Sequence, residues 1–125
     1  MDIGYRAQIF GLKNVTEPAA VVYHAGSGST GSRYNAFKVT HSSRNNIYLI
    51  YKNMPVLQIL LNLPVFILGF SAKLVFFASK GYGKEYLAGI KNGFFICRKP
   101  ENRAKKIRFE WKRLGTYFVI EWELF

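Results

Sequence analysis

Residues Met54 to Ser79 read MPVLQILLNLPVFILGFSAKLVFFAS, and this run limits the fold more than any other part of the chain. It is apolar nearly throughout, broken by Gln58, Asn62, Pro64, Gly69 and Lys73. A helix of about 20 mostly apolar residues crosses a bilayer, so the length allows a span. Two features oppose one. Pro64 lacks an amide donor and interrupts a helix, and Lys73 would sit deep in hydrocarbon. Two shorter helices lying in the membrane interface answer both objections. A single span, and packing inside a water-soluble core, stay open as alternatives.

The charge of the chain bears on the same choice. Eighteen Lys and Arg stand against seven Asp and Glu, a net charge of +11, and such an excess favours anionic partners. From Met1 to Lys52 six basic residues face two acids; from Asn53 to Phe125 twelve face five. Arg98 to Arg113 alone holds eight basic residues and two acids. Next to an apolar run this predicts attraction to anionic lipid head groups, with a solvated tail as the competing reading. Basic residues interleaved with aromatics also occur in single-strand nucleic-acid binders. Such a domain has no use for a long apolar run, so no nucleic-acid partner is expected. Cys97 is the sole cysteine, which excludes an internal disulfide and a thiolate metal site; beside Phe94, Phe95 and Ile96 it reads as a small apolar filler.

Along the chain, Asp2 to Leu12 predicts a helix with Ile3, Ala7 and Phe10 on one face and Gly11 as its stop. Nothing precedes Asp2 to cap that helix, which leads us to expect further sequence upstream. Ala19 to His24 predicts a buried strand, with Ala20, Val22 and His24 alternating onto one face. Arg33 to Lys52 predicts a second helix, capped by Ser32. Its stripe of Tyr34, Phe37, His41, Arg44, Asn45, Tyr48 and Tyr51 suits a wet cavity or an interface, or an ordinary half-exposed helix. Lys84 to Cys97 predicts a further helix after a turn at Gly81 and Gly83. Tyr117 to Phe125 alternates in the manner of a strand. Three regions follow: residues 1–52, an apolar and amphipathic 53–97, and a basic tail 98–125.

The segment HAGSGSTGSRYN after the first strand carries the candidate chemistry. Small residues from Gly26 to Gly31 let backbone amides approach an anion, and a helix N-terminus follows. Gly26, Gly28 and Gly31 make a formal G-x-G-x-x-G, but no acid stands near Arg44 to Lys52 to bind a ribose, so a dinucleotide site is not expected. His24 has the character of a metal ligand at a strand end; a lone histidine serves more often as a hydrogen-bonded structural residue. Hard cations also need carboxylates, and of the seven acids only Asp2 and Glu17 lie near His24 in sequence.

An ordered set of short motifs then adds a resemblance. Asp2-Ile3-Gly4-Tyr5-Arg6-Ala7 with Gly11, Pro18 to His24, Ser27 to Gly31, Arg44-Asn45, and Lys52-Asn53-Met54-Pro55 occur in the order and spacing of the C-terminal part of bacterial family 2 glycosyltransferases. The chain resembles the rhamnosyltransferase-like branch over roughly Met1 to Gly93. The resemblance implies an α-dominated α+β fragment, the C-terminal portion of a GT-A α/β nucleotide-sugar transferase with membrane-associated helices. It implies transfer of a sugar from a nucleotide-sugar donor to a cell-surface polysaccharide or lipid-linked acceptor. The setting is the cytoplasmic face of the bacterial inner membrane, with an anionic membrane surface as partner. Asp2 matches the last acid of the family's Glu-Asp-apolar-Asp motif, adjoining the catalytic base. His24 matches a histidine that helps hold a divalent metal, Mg or Mn. Gly28, Ser29 and Thr30 match the loop beside the diphosphate, and Arg44 and Asn45 match the acceptor or diphosphate side. The leading acids of that motif are not within this chain, so no sugar transfer is expected from these 125 residues alone. A non-catalytic basic membrane-surface module is the alternative.

Overall fold

The computed structural model describes residues 2–23 and 33–123. Among these residues every regular element is helical: α1 (Asp2–Ile9), α2 (Ala36–Asn53), α3 (Val56–Leu61), α4 (Leu63–Ser79), α5 (Gly83–Arg98), α6 (Pro100–Ala104), a 3-10 turn at Trp111–Arg113, and α7 (Leu114–Glu123). The described chain forms two units. One comprises residues 1–34 with 112–125, the other residues 35–111.

The α+β expectation is therefore corrected: no strand occurs among the described residues. Ala19 to Tyr23, predicted as the start of a buried strand, are irregular and exposed, with Tyr23 97% accessible. Among the described residues no second strand lies beside them, and an unpaired strand leaves its amides without partners. Tyr117 to Glu123 are helical. The buried pair on α7 is Tyr117 and Ile120, a spacing of three that fits one helix face. The alternation seen in the sequence gives way to that face.

In the first unit α1 ends as predicted. Gly11 has φ of +79°, a left-handed conformation that glycine adopts without penalty. Its amide and that of Leu12 donate back to Gln8 and Ala7 carbonyls, closing the helix in a Schellman arrangement. Arg113 Nη1 donates to the Ile9 carbonyl at 2.6 Å, and its guanidinium lies 4.5 Å from the Phe10 ring centre. This one side chain ties the end of α1 to the start of α7.

In the second unit the organising contact is between α2 and α5. Asn35, rather than Ser32, caps α2 among the described residues: its side chain accepts from the Lys38 amide at 2.8 Å. The buried face of α2 is Val39, Ser43 and Ile47; that of α5 is Tyr86, Gly89, Gly93 and Cys97. Gly89 abuts Ser43 and the Thr40 carbonyl, and Gly93 abuts Ile47 and the Arg44 carbonyl. Four residues further along α5 thus match four further along α2, so the helices run in the same direction. Small residues let the backbones approach closely, as at glycine-x-x-x-glycine interfaces. Burial of Val39 and Ile47 contributes about 1.5–3 kcal/mol each.

A parallel pair needs a return crossing, and α3 with α4 supplies it. Asn62 separates them, and Pro64 stands in the first turn of α4, where its missing donor costs nothing. The break expected from Pro64 thus divides the apolar run into two helices. Gly81, with φ of +81°, then reverses the chain into α5. Phe77 stacks on Tyr86 at 5.3 Å, and the Tyr86 hydroxyl points to the Phe70 carbonyl at 3.4 Å.

Candidate membrane-contact surface

The polarity of α3 is inside out. Gln58 and Asn62, one turn apart, are each 4% exposed, whereas Val56, Leu57, Leu60 and Leu61 are all more than half exposed. An aqueous helix places these groups the other way round. Buried amides are stable only when hydrogen-bonded, and the Asn62 amide nitrogen donates to the Gln58 carbonyl at 3.0 Å. Asn53 and Asn102 are also buried, so the interior of this unit is rich in carboxamides. Tyr48 donates to Asn102 Oδ1 at 3.1 Å, and Asn102 Nδ2 donates to the Ile96 carbonyl at 3.0 Å.

Helix α4 continues the pattern. None of its residues is buried. Its half-covered stripe is Phe66, Phe70, Leu74 and Phe77, and on the other side Val65, Leu68, Ala72 and Val75 are exposed. Contiguous exposed apolar surface of this kind marks a site that meets lipid or another apolar partner. No described helix is long and apolar enough to cross a membrane.

Charge gathers on the same unit. Residues 35–111 hold thirteen Lys and Arg against three Glu, a net +10 of the chain's +11. Part of this charge has a structural role. The C-termini of α2 and α5 lie side by side, and Lys52 and Arg98 occupy their last turns, where cations favour the negative end of the helix dipole. Lys106 rests 4.5 Å from the centre of the Tyr51 ring, and the Ile107 amide donates to the Lys52 carbonyl at 2.8 Å. The expected basic tail thus folds back on the helix pair at its start. Arg98, Lys99, Arg103, Lys105 and Arg108 remain exposed.

Cys97 is buried in the α2–α5 seam. Burial pushes its thiol above the ordinary value of 9.0, opposed more weakly by the positive charge of Lys106. Burial likewise raises the Tyr86 phenol above 10.0. Both groups are thereby held neutral, in keeping with the filler role read for Cys97.

The sequence-derived site residues fall in both units. Asp2 lies in the first turn of α1, in the first unit. Arg44 and Asn45 lie together on α2 in the second: Arg44 Nε and Nη2 both donate to Asn45 Oδ1 at 3.1 Å. The α2 stripe that includes them is the side turned from the Val39–Ser43–Ile47 seam. His24, Gly28, Ser29 and Thr30 lie outside the described residues. Among the described residues no group of three His, Cys, Asp or Glu comes together to hold a metal ion. The buried Gln58–Asn62 pair was not read from the sequence as interior. Its four-residue spacing within an otherwise apolar run was the signal available. No protein-family model, curated protein or solved structure matches the chain.

Proposed function

We propose that this chain docks on an anionic membrane surface through α3, α4 and its exposed cations, and that it does so as the membrane-facing part of a family 2 glycosyltransferase. The observation that carries the docking is the inverted polarity of α3, continued by the unburied α4. Lipid acyl chains satisfy Leu57, Leu60 and Leu61, while the net +10 of the same unit meets anionic head groups. The enzyme assignment is supported by the ordered motifs from Asp2 to Pro55. A surface that holds lipid also suits an enzyme whose acceptor is lipid-linked, on the cytoplasmic face of the inner membrane.

In this reading His24 would offer its imidazole to a divalent Mg or Mn ion, and the ion would supply positive charge against a nucleotide diphosphate. Gly28, Ser29 and Thr30 would supply amides to that diphosphate, Arg44 and Asn45 would serve the acceptor or diphosphate side, and Asp2 would support the helix beside the catalytic base. None of the seven acids in the sequence is assigned the role of base, so no sugar transfer is expected from the chain alone, and its binding of nucleotide diphosphate is expected to be weak or absent.

Co-sedimentation tests the docking. The 125-residue chain is expected to pellet with phosphatidylglycerol-containing vesicles, less with pure phosphatidylcholine, and less again as salt rises. A chain that stays in the supernatant with both vesicle types refutes it. The enzyme assignment has a separate test. Mg- or Mn-dependent binding of a nucleotide diphosphate that is lost in His24→Ala supports it. Membrane binding with no nucleotide effect favours the second reading, a non-catalytic module that uses the same surface.

A further inference from the structure

The membrane reading leaves open how α4 is turned about its own axis, and the placement of Lys73 within it and of Lys80 at its C-terminal cap bears on this. Val65, Leu68, Ala72 and Val75 recur at helical spacing along the face opposite the Phe66–Phe70–Leu74–Phe77 stripe, and all four are exposed. No charge interrupts that face. Lys73 and Lys80, seven residues apart, fall on a single flank between the two stripes, and both are exposed. We infer that α4 lies in the plane of the bilayer surface with Val65, Leu68, Ala72 and Val75 pressed into the acyl region and Lys73 and Lys80 reaching from one edge to lipid phosphates.

This rests on the docking reading and specifies its partner: the acyl chains and phosphates of a phospholipid leaflet, rather than a second copy of the chain. The charge argues for that choice. Two copies meeting through α4 would bring together units of net +10 each, whereas an anionic leaflet complements them. Lysine stems run along apolar surface while the ammonium stays at head-group level, so a lysine at the flank is compatible with a buried neighbour one residue away. Lys73, an obstacle to a transmembrane span, becomes an anchor for an in-plane helix. The buried amides of α3 fit the same orientation. Gln58 and Asn62 are turned inward, leaving only Val56, Leu57, Leu60 and Leu61 to meet the lipid.

Site-directed nitroxide labels at residues 65, 68, 72, 73, 75 and 80, one at a time in a Cys97→Ala background of the whole chain, read the depth of each position on phosphatidylcholine–phosphatidylglycerol vesicles. The expected result is high oxygen and low nickel-chelate accessibility at 65, 68, 72 and 75, with the reverse at 73 and 80. A second measurement leaves Cys97 in place: Lys73→Gln/Lys80→Gln is expected to weaken partitioning onto anionic vesicles by about thirtyfold and to leave neutral vesicles unaffected. Several results overturn the inference. They are a uniform depth at all six positions, labels that stay in water while the chain still pellets, and spin–spin broadening that reports α4 against α4 in a second copy. The first two leave membrane docking standing with another face or depth. Failure to pellet at all removes both.

Discussion

The α2–α5 seam can be tested by adding one methyl group at two places. At Gly89 an added Cβ runs into the Ser43 hydroxyl and the Thr40 carbonyl, with Ser43 Cβ only 3.1 Å away. The hydroxyl has little freedom to move, because it donates to the Val39 carbonyl at 2.8 Å and reaches the Thr40 carbonyl at 3.2 Å. The Thr40 carbonyl is helix backbone and moves only if α2 moves. Overpacking of this kind costs about 1–3 kcal/mol, and backbone obstruction places it at the upper end. Alanine returns about 1 kcal/mol in helix propensity. Gly89→Ala is therefore expected to lose about 2 kcal/mol net, a fall in Tm of roughly 8–16 °C for a unit of this size. Gly69, in α4, meets nothing within 4 Å, so Gly69→Ala keeps only the propensity gain of about 0.5–1 kcal/mol. Thermal unfolding followed by circular dichroism compares the two in one buffer. Equal or same-sign shifts would falsify a seam set by glycine contact. A partial rescue of Gly89→Ala by Ser43→Ala is expected, because the hydroxyl clash goes and the carbonyl clash stays.

Alkaline pH probes the same seam. Burial raises Cys97 above 9.0 and Tyr86 above 10.0. In the folded chain both hold their protons to higher pH than in the unfolded chain. The stability they contribute is fully present below pH 9 and declines as pH rises through the raised folded values. Tm measured from pH 8 upward is expected to fall, with a shallower start to the fall in Cys97→Ala; a Tm flat to pH 11 contradicts the burial. Asn35→Ala removes the side-chain acceptor for the Lys38 amide and is expected to cost about 1 kcal/mol. Faster hydrogen exchange confined to the first turn of α2 identifies the loss as a capping effect, and unchanged exchange there refutes it.

Much of the helical content was legible because its signals were local. Gly11, Gly81 and Pro64 ended or broke helices where their backbone chemistry requires it, and two helices rather than one came from the apolar run. The errors came from elements that need a partner. Ala19 to Tyr23 has the composition of a strand, yet a strand exists only beside another, and none stands there among the described residues. Tyr117 to Glu123 alternates in sequence, but a helix buries Tyr117 and Ile120 together. On α2 the aromatic and polar stripe drew attention, while the packed face was the quieter Val39, Ser43 and Ile47. That face could be recognised only with Gly89 and Gly93 in view, more than forty residues away. Of the candidate site, Asp2 falls in the first unit and Arg44 with Asn45 in the second, while His24, Gly28, Ser29 and Thr30 lie outside the described residues.

The same-direction pairing of α2 and α5 also dictates an order of events. Ser43 waits for Gly89, and Ile47 for Gly93, until the whole apolar crossover between them has left the ribosome. During that interval α2 shows a bare face, and the Leu57 to Val75 surface emerges ahead of the clamp that will hold it. Closing the helix pair therefore means bringing together residues more than forty positions apart, a long-range step that slows folding.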